Sequence, residues 1–215
     1  MKLKYILMPK LSKGSAHFIL IAIVVVLALV VLAFATGSAK VSVKVNNPDT
    51  SNVPSAKKDE TVLYENDSYA FSLRYPETWT VKKGSTSDPV VTFVSKKESS
   101  SDAFTENMFV TITDLSSKPN LSSSEAMAGW IKENKSGEYG STFDVLTQKS
   151  IAVDGFDAEQ VTYVFTASGF EVKGMITIVM KDNKAYLLSY TAEAKSFDTF
   201  TSEVAAMINS FAFKK

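Results

Sequence analysis

The sequence predicts an α+β fold, with a mostly antiparallel β-sheet on which helices pack, preceded by one N-terminal transmembrane helix. Three observations carry this prediction: an uncharged apolar run near the N-terminus, short alternating segments separated by turn signals from Tyr64 onward, and two amphipathic helical segments among them. The expected domains are a cytoplasmic basic N-terminus (1–17), a transmembrane signal-anchor helix (18–39), a flexible linker (40–62) and an extracytoplasmic domain (63–215).

The apolar run Phe18–Ala35 contains no charged side chain. As a helix it would reach about 27 Å, close to the hydrocarbon thickness of a bilayer. Four lysines precede the run and two follow it closely: Lys2, Lys4, Lys10 and Lys13 before, Lys40 and Lys44 after. The positive-inside bias therefore predicts a single-pass protein of the cell membrane, with its N-terminus in the cytoplasm and its C-terminal domain outside.

Two alternatives for this segment remain open. The small-residue triplets Ala33–Ala35 and Gly37–Ala39 fit signal peptidase, but the run is longer than a usual secretory h-region, which favours an uncleaved anchor. The pair Lys13–Gly14 is similar to a prepilin leader, although the early glutamate of many bacterial pilins is absent. A pilin-like structural subunit is therefore an alternative. A lipoprotein is excluded because no cysteine follows the run.

The predicted linker, residues 40–62, has no aromatic side chain, contains Pro48 and Pro54, and is rich in small polar residues. Such a composition buries too little apolar surface to offset its ordering entropy. As a coil it would span about 25–30 Å, which keeps the following domain near the membrane. Its stretch "VSVKV" alternates and could form a short strand.

Composition excludes several chemistries. The chain has no cysteine, and its one histidine, His17, lies beside the apolar run, so thiol nucleophiles, Ser-His-Asp catalysis and histidine-ligated zinc sites are not expected in the domain. Residues 1–63 hold eight lysines and three acids, which leaves 15 basic and 20 acidic residues in the remainder. An acidic domain is a poor binder of nucleic acid, since neutralising phosphates needs a basic face.

The sequence of the domain predicts a series of β-strands. In "FSLRYPETW", Phe71 and Leu73 alternate inward with Tyr69 and Tyr75, Pro76 ends the ladder, and Trp79 resumes it, which predicts a hairpin. Further strands are predicted at 90–94, 108–115, 145–153, 157–165, 170–180 and 185–194. The segment 170–180 is apolar on both faces, which indicates a central strand.

Turns and helices separate these strands. Asp154–Gly155, Ser168–Gly169 and Asp182–Asn183 are predicted tight turns. Ser122 and Glu125 fit a capping box for a first helix that ends at Gly137 and Gly140. Ser196 is the expected N-cap of a last helix, whose apolar stripe consists of Phe197, Phe200, Val204, Met207, Ile208 and Phe211.

Three blocks of this domain resemble the PsbP-like family. "YAFSLRYPETWTV" is similar to its F-S-x-x-Y-P-x-x-W pattern, "IAVDGFDAEQVTYVF" to its I-x-x-x-G-x-x-A hairpin, and "AYLLSYTAEAKSFDTFTSEVAAMINSF" to its closing strand and helix. The resemblance spans Leu63–Phe213 and implies an α/β/α sandwich. The plant representative is an extrinsic subunit of photosystem II, and many prokaryotic relatives are exported or membrane-attached binding modules, so a non-catalytic domain without a cofactor is expected. The plant-type histidine is absent, and no metal or cofactor role is carried over.

Few residues suggest a site. Trp79 and Trp130 could be exposed binding aromatics, but their inward positions favour core packing. In the loop 95–107, Glu98, Asp102 and Glu106 do not have calcium-loop spacing, and a solvated loop able to contact a partner is expected.

Asp154, Asp157 and Glu159 flank a hairpin turn, and turn chemistry explains them better than acid–base catalysis. No catalytic, metal or cofactor residue is therefore predicted. Asn66, Asn120 and Asn134 begin glycosylation sequons, which matter only in a host that glycosylates exported proteins.

The expected function is a membrane-anchored interaction module for an envelope protein or small ligand. A carboxylate-based envelope hydrolase is a weaker alternative.

Overall fold

The computed structural model describes residues 60–84, 89–99, 102 and 104–214. The predicted transmembrane helix and most of the predicted linker lie outside these residues. Within them, no helix is long and apolar enough to span a bilayer. The strands in chain order are β1 Thr61–Asn66, β2 Phe71–Pro76, β3 Thr80–Lys83, β4 Val91–Val94, β5 Asn107–Asp114, β6 Asp144–Val153, β7 Phe156–Ala167, β8 Phe170–Lys181, β9 Lys184–Glu193 and β10 Ala212–Phe213. Two helices accompany them: α1 Ser123–Ser136, after β5, and α2 Phe197–Asn209, after β9.

The described strands form two antiparallel sheets. The large sheet has the order β3-β4-β5-β9-β8-β7-β6, and the small sheet has the order β1-β2-β10. Neighbouring strands of the large sheet are joined by short hairpins from β6 to β9, whereas β9 pairs with β5 across the whole of α1 and three strands. The predicted α+β class with a mostly antiparallel sheet is therefore confirmed.

Both faces of the large sheet are covered, because its central strands are apolar on both sides. On one face lie α1 and the α1 core, whose largest members include Met127, Trp130, Tyr163, Ile176 and Leu187. On the other face lie α2, the small sheet and the α2 core, whose members include Phe71, Leu73, Leu188, Tyr190 and Phe211. The predicted central position of β8 is confirmed, since Met175 and Val179 face the α2 core while Ile176 and Ile178 face the α1 core.

The capping box of α1 forms as predicted. The Ser122 side chain accepts a hydrogen bond from the Glu125 N–H at 3.2 Å, and the Glu125 carboxylate accepts one from the Ser122 N–H at 2.9 Å. Gly137 ends the helix. At α2 the predicted position of the cap is correct, but the Ser196 hydroxyl makes no bond to the helix N-terminus. It donates to the Glu98 carboxylate instead, at 3.1 Å.

The predicted hairpin in "FSLRYPETW" is wrong. β2 pairs with β1 and β10 in the small sheet, whereas β3 pairs with β4 in the large sheet. The turn between them is closed by a bond from the Trp79 N–H to the Pro76 carbonyl, at 2.9 Å. Pro76 ends the strand as expected, and the chain then crosses from one sheet to the other.

Two further boundaries differ from the sequence prediction. β1 begins at Thr61, so the last residues of the predicted linker belong to the folded domain. α2 ends at Asn209, and Phe211 is buried from the turn that leads into β10. Neither short edge element, β1 or β10, has the strong alternating apolar pattern that predicts a strand by itself.

Candidate functional site

Both tryptophans lie in the cores, as predicted. Trp79 is 4% exposed, and its indole N–H donates to the Glu203 carboxylate of α2 at 2.7 Å. Trp130 is 1% exposed and packs edge-on against Tyr163, with ring centroids 5.0 Å apart. Their aromatic surfaces are therefore used for packing and are closed to a partner.

The acids of the loop 95–107 organise the loop and its contact with α2. The Asp102 carboxylate accepts bonds from the Glu98 N–H at 3.2 Å and the Phe104 N–H at 3.1 Å. Glu98 in turn holds the Ser196 hydroxyl. Asp102 and Glu98 therefore stabilise the loop and its contact with α2.

The prediction that the acids of this loop are solvated is wrong for Glu106. Its side chain is 1% exposed, and Oε2 accepts a bond from the Ser95 hydroxyl at 3.1 Å. Burial raises the pKa of the Glu106 carboxyl; hydrogen bonds from its own N–H and from Ser95 oppose this shift, and the charges of Asp102 and Glu98 add to it. The fold thus carries a carboxyl whose charged form is disfavoured beneath the loop.

The acids of the β6–β7 hairpin serve separate partners. Asp154 Oδ2 accepts a bond from the Phe213 N–H at 2.9 Å, which ties the hairpin tip to β10. Glu159 is 7% exposed and accepts bonds from the Ser150 hydroxyl and from the Gln148 amide, the latter at 3.2 Å. Asp157 is exposed. Within the described ranges, no three acidic or histidine side chains are grouped so that they could hold a metal ion.

The three sequon asparagines differ in access. The side-chain amides of Asn66 and Asn134 donate to the Tyr64 hydroxyl at 3.2 Å and to the Trp130 carbonyl at 2.8 Å. Asn120 is exposed in the turn before α1, with φ +68°. Of the three, Asn120 is the one that is exposed, whereas Asn66 and Asn134 are half-buried.

An open groove runs between α1 and the edge strand β6. Its volume is about 500 Å³, and it is lined by Ala128, Ile131, Lys132, Lys135, Ser136 and Gln148. The helix residues follow the i, i+3, i+4, i+7 spacing from Ala128 to Lys135, which places them along one face of α1. The Trp130 side of the helix packs on the sheet, and the groove lies beside that contact.

The α1 wall of the groove has an apolar part, formed by Ala128 and Ile131, and a basic part, formed by Lys132 and Lys135. Ile131 packs partly against the α1 core, and Ala128 is exposed beside it. Lys132 and Lys135 are exposed, and the ion pairs found among the described residues involve other lysines. No acidic side chain lines the described groove. The side chains that line the groove therefore carry a net positive charge.

The strand wall is the outer edge of the large sheet. β6 has ten residues, and of the described strands only β7 pairs with it. Its register shifts between Val145 and Thr147, where a bulge leaves Leu146 47% exposed. Beyond the bulge, Gln148 faces the groove and its amide is anchored on Glu159.

Sequence reasoning did not find this groove. Its two walls come from segments that are separated by the turn and loop between α1 and β6, and only tertiary packing brings them together. One signal was available: the run Thr147–Ser150 is polar on both faces, which is typical of an edge strand.

Comparison with known proteins assigns the family. The sequence model described as "PsbP-like protein" matches residues 18–213, most of the chain. The chain belongs to the PsbP-like family. The resemblance inferred from the three sequence blocks is thereby confirmed. No curated protein sequence matches this PsbP-like chain.

Solved structures of low sequence identity share the PsbP-like fold. Cyanobacterial PsbP (CyanoP) from Synechocystis sp. PCC 6803 superposes with a TM-score of 0.54 at 14% identity, over 76% of this chain and 98% of that one. LpqN of Mycobacterium tuberculosis, a protein described as involved in cell envelope biogenesis, gives 0.53 at 13% identity, over 74% and 88%. A Pseudomonas aeruginosa protein of unknown function, described as a putative regulator, gives 0.50 at 11%, over 72% and 98%.

Proposed function

We propose that this protein is a non-catalytic interaction module of the PsbP-like type, held at the outer face of a cell membrane by its N-terminal apolar segment. The observation that carries the proposal is the family match over residues 18–213, combined with an open groove beside the outer edge of β6, which no other described strand covers. Such a groove offers contact surface to a partner without displacing any core side chain.

The hydrogen bonds of the acidic side chains support the non-catalytic part. The carboxylate-based glycoside hydrolase that is the alternative would need two carboxyl groups beside the scissile bond. Asp102, Asp154 and Glu159 instead hold backbone or side-chain donors within the fold, in three separate places. Glu106 is covered by the protein and accepts from Ser95.

The proposed position of the domain, outside the cell membrane, is argued from the sequence of residues 1–39. Lysines precede the uncharged run Phe18–Ala35, and the positive-inside bias then directs the following domain outward. LpqN, which shares the fold, is described as involved in cell envelope biogenesis, and the proposal gives this protein a similar setting.

The experiment combines fractionation with protease accessibility in the native host. A C-terminally tagged full-length chain is expected in the membrane fraction, with its tag digested by protease added to intact cells or spheroplasts. A protected tag or a cytosolic chain would contradict the proposal. N-terminal sequencing of the same material separates the anchor from the alternatives, because an intact Met1 indicates an anchor and a start at Ser15 indicates processing of a pilin leader.

A further inference from the structure

We infer that the groove between α1 and β6 receives an extended acidic polypeptide segment, which pairs with β6 as an additional strand of the large sheet. This inference rests on the proposed function, since it names the class of partner that the interaction module binds. Three features carry it: a free strand edge, a basic groove wall, and charges that disfavour pairing with a second copy.

The free edge supplies backbone donors and acceptors. Among the strands that the structure describes, β6 pairs with β7 alone, so alternate N–H and C=O groups along its outer side have no partner there. The bulge at Leu146 breaks the regular edge, which leaves Thr147–Val153 as the pairing segment. That segment spans about 23 Å at the usual strand rise, enough for a short extended peptide.

The groove wall selects the side chains of the peptide. Residues of an added strand that face α1 would lie over Ala128 and Ile131 and below the ammonium groups of Lys132 and Lys135. Acidic side chains at alternate positions place an apolar stem on this floor and a carboxylate within reach of the lysines. At physiological ionic strength charges are screened beyond about 8 Å, so these lysines outweigh the net negative charge of the rest of the domain.

A second copy of the chain is a poor occupant of this edge. Lys149, near the middle of the pairing segment, is exposed, and it lies on the face opposite to the groove because the preceding residue, Gln148, lines the groove. Antiparallel pairing of two β6 strands would bring their lysines together, and like charges across a strand pair are destabilising.

An anionic lipid headgroup could make only some of the contacts that a peptide makes in this groove. Its phosphate could contact Lys132 and Lys135, but it has no amide groups to pair along the edge of β6. A polypeptide satisfies both walls of the groove at once. The geometry therefore favours a peptide over an anionic membrane surface.

The test uses the full-length chain in nanodiscs of neutral lipid and a fluorescent peptide in which glutamate alternates with valine. The acidic peptide is expected to bind and to slow amide hydrogen exchange in Thr147–Val153. The double variant Lys132→Glu/Lys135→Glu should weaken its binding at least about tenfold and should bind the matched lysine–valine peptide better than the wild type. Lys82→Glu/Lys83→Glu makes the same charge change at β3, the opposite edge, and should leave the affinity within about twofold.

Four outcomes would overturn the inference. These are equal binding of the acidic peptide to both double variants, exchange protection outside β6, self-association that depends on β6, and binding of anionic vesicles through Lys132 and Lys135 without binding of the peptide. The proposed function would survive the first two if a membrane partner crosslinks to another face of the domain. It would fail independently if the domain faces the cytoplasm.

Discussion

At the scale of single residues, Tyr190 and Glu106 show how the fold accommodates buried polar groups. The Tyr190 hydroxyl donates to the Phe197 carbonyl at the start of α2, at 2.9 Å, and burial raises the pKa of its phenol. The phenol is therefore neutral and pins β9 to α2. Burying Glu106, in the loop just before β5, costs more free energy because its side chain is a carboxylic acid that is ionised in water at neutral pH and is covered by the protein.

The raised pKa of Glu106 predicts a pH-dependent cost. The folded state holds this proton more tightly than the unfolded chain, so its contribution to stability is full below the ordinary pKa of 4.5 and is lost as the pH rises through the raised value. Glu106→Gln should therefore be more stable than the wild type at neutral pH, and the difference should shrink toward pH 4. Urea unfolding across this pH range measures it, with exposed Glu77→Gln as the control. A difference that grows on acidification would contradict the assignment.

The bond between Trp79 and Glu203 predicts a second residue effect. Trp79→Phe keeps an aromatic ring but leaves the half-buried carboxylate without its indole donor, which should cost about 1.5–3 kcal/mol of unfolding free energy. Glu203→Gln keeps an acceptor and should cost less. A loss in Trp79→Phe with none at all in Glu203→Gln, measured by urea unfolding, would show that the ring and not the hydrogen bond matters.

At the scale of elements, the hairpins of the large sheet depend on left-handed turn residues. Asp154–Gly155, Ser168–Gly169 and Asp182–Asn183 all have positive φ at both positions, between +50° and +84°. This is the pattern of type I′ turns, whose twist matches that of the flanking strands. The three predicted turns are thus confirmed, with the geometry that links β6 to β9 in unbroken succession.

Gly155 offers a test that is free of packing effects. At its φ of +79°, a Cβ would meet nothing within 4 Å, so Gly155→Ala changes only backbone preference. Its cost should be about 1–2 kcal/mol, the usual penalty for an L-residue in this region. Gly155→Asn should recover most of the loss, because asparagine tolerates positive φ. Thermal unfolding of the two variants gives the comparison, and a loss equal in both would point to a different cause.

At the scale of the whole molecule, two cores share one sheet. The α1 core contains Trp130 and the α2 core contains Trp79, and the strands β8 and β9 contribute side chains to both. Loss of either core would expose one face of these central strands. The layers are therefore expected to unfold together.

The two tryptophans make this cooperativity measurable. Trp79→Phe leaves Trp130 as the fluorescent reporter of the α1 core, and Trp130→Phe leaves Trp79 as the reporter of the α2 core. In each variant, the fluorescence midpoint in urea should coincide with the midpoint of far-ultraviolet circular dichroism. Separate midpoints within one variant would show that one layer opens while the other remains folded.

The strands β6 to β9 and both helices were predictable because their signals are local. Alternation, turn residues and the capping box act within a few residues of sequence, and they predicted these elements correctly. The hairpin in "FSLRYPETW" failed because strand pairing is not local. The pattern shows which side chains face inward, and it does not show which sheet receives them.

By itself, the sequence determined the class of the fold, the inward positions of the tryptophans and the family. Each follows from the order of apolar, turn and capping residues along the chain. The tertiary structure alone decided that β2 and β3 lie in different sheets, that Glu106 is buried, and that α1 and β6 enclose a basic groove. These features depend on contacts between distant segments, whose free energy appears only when the layers pack.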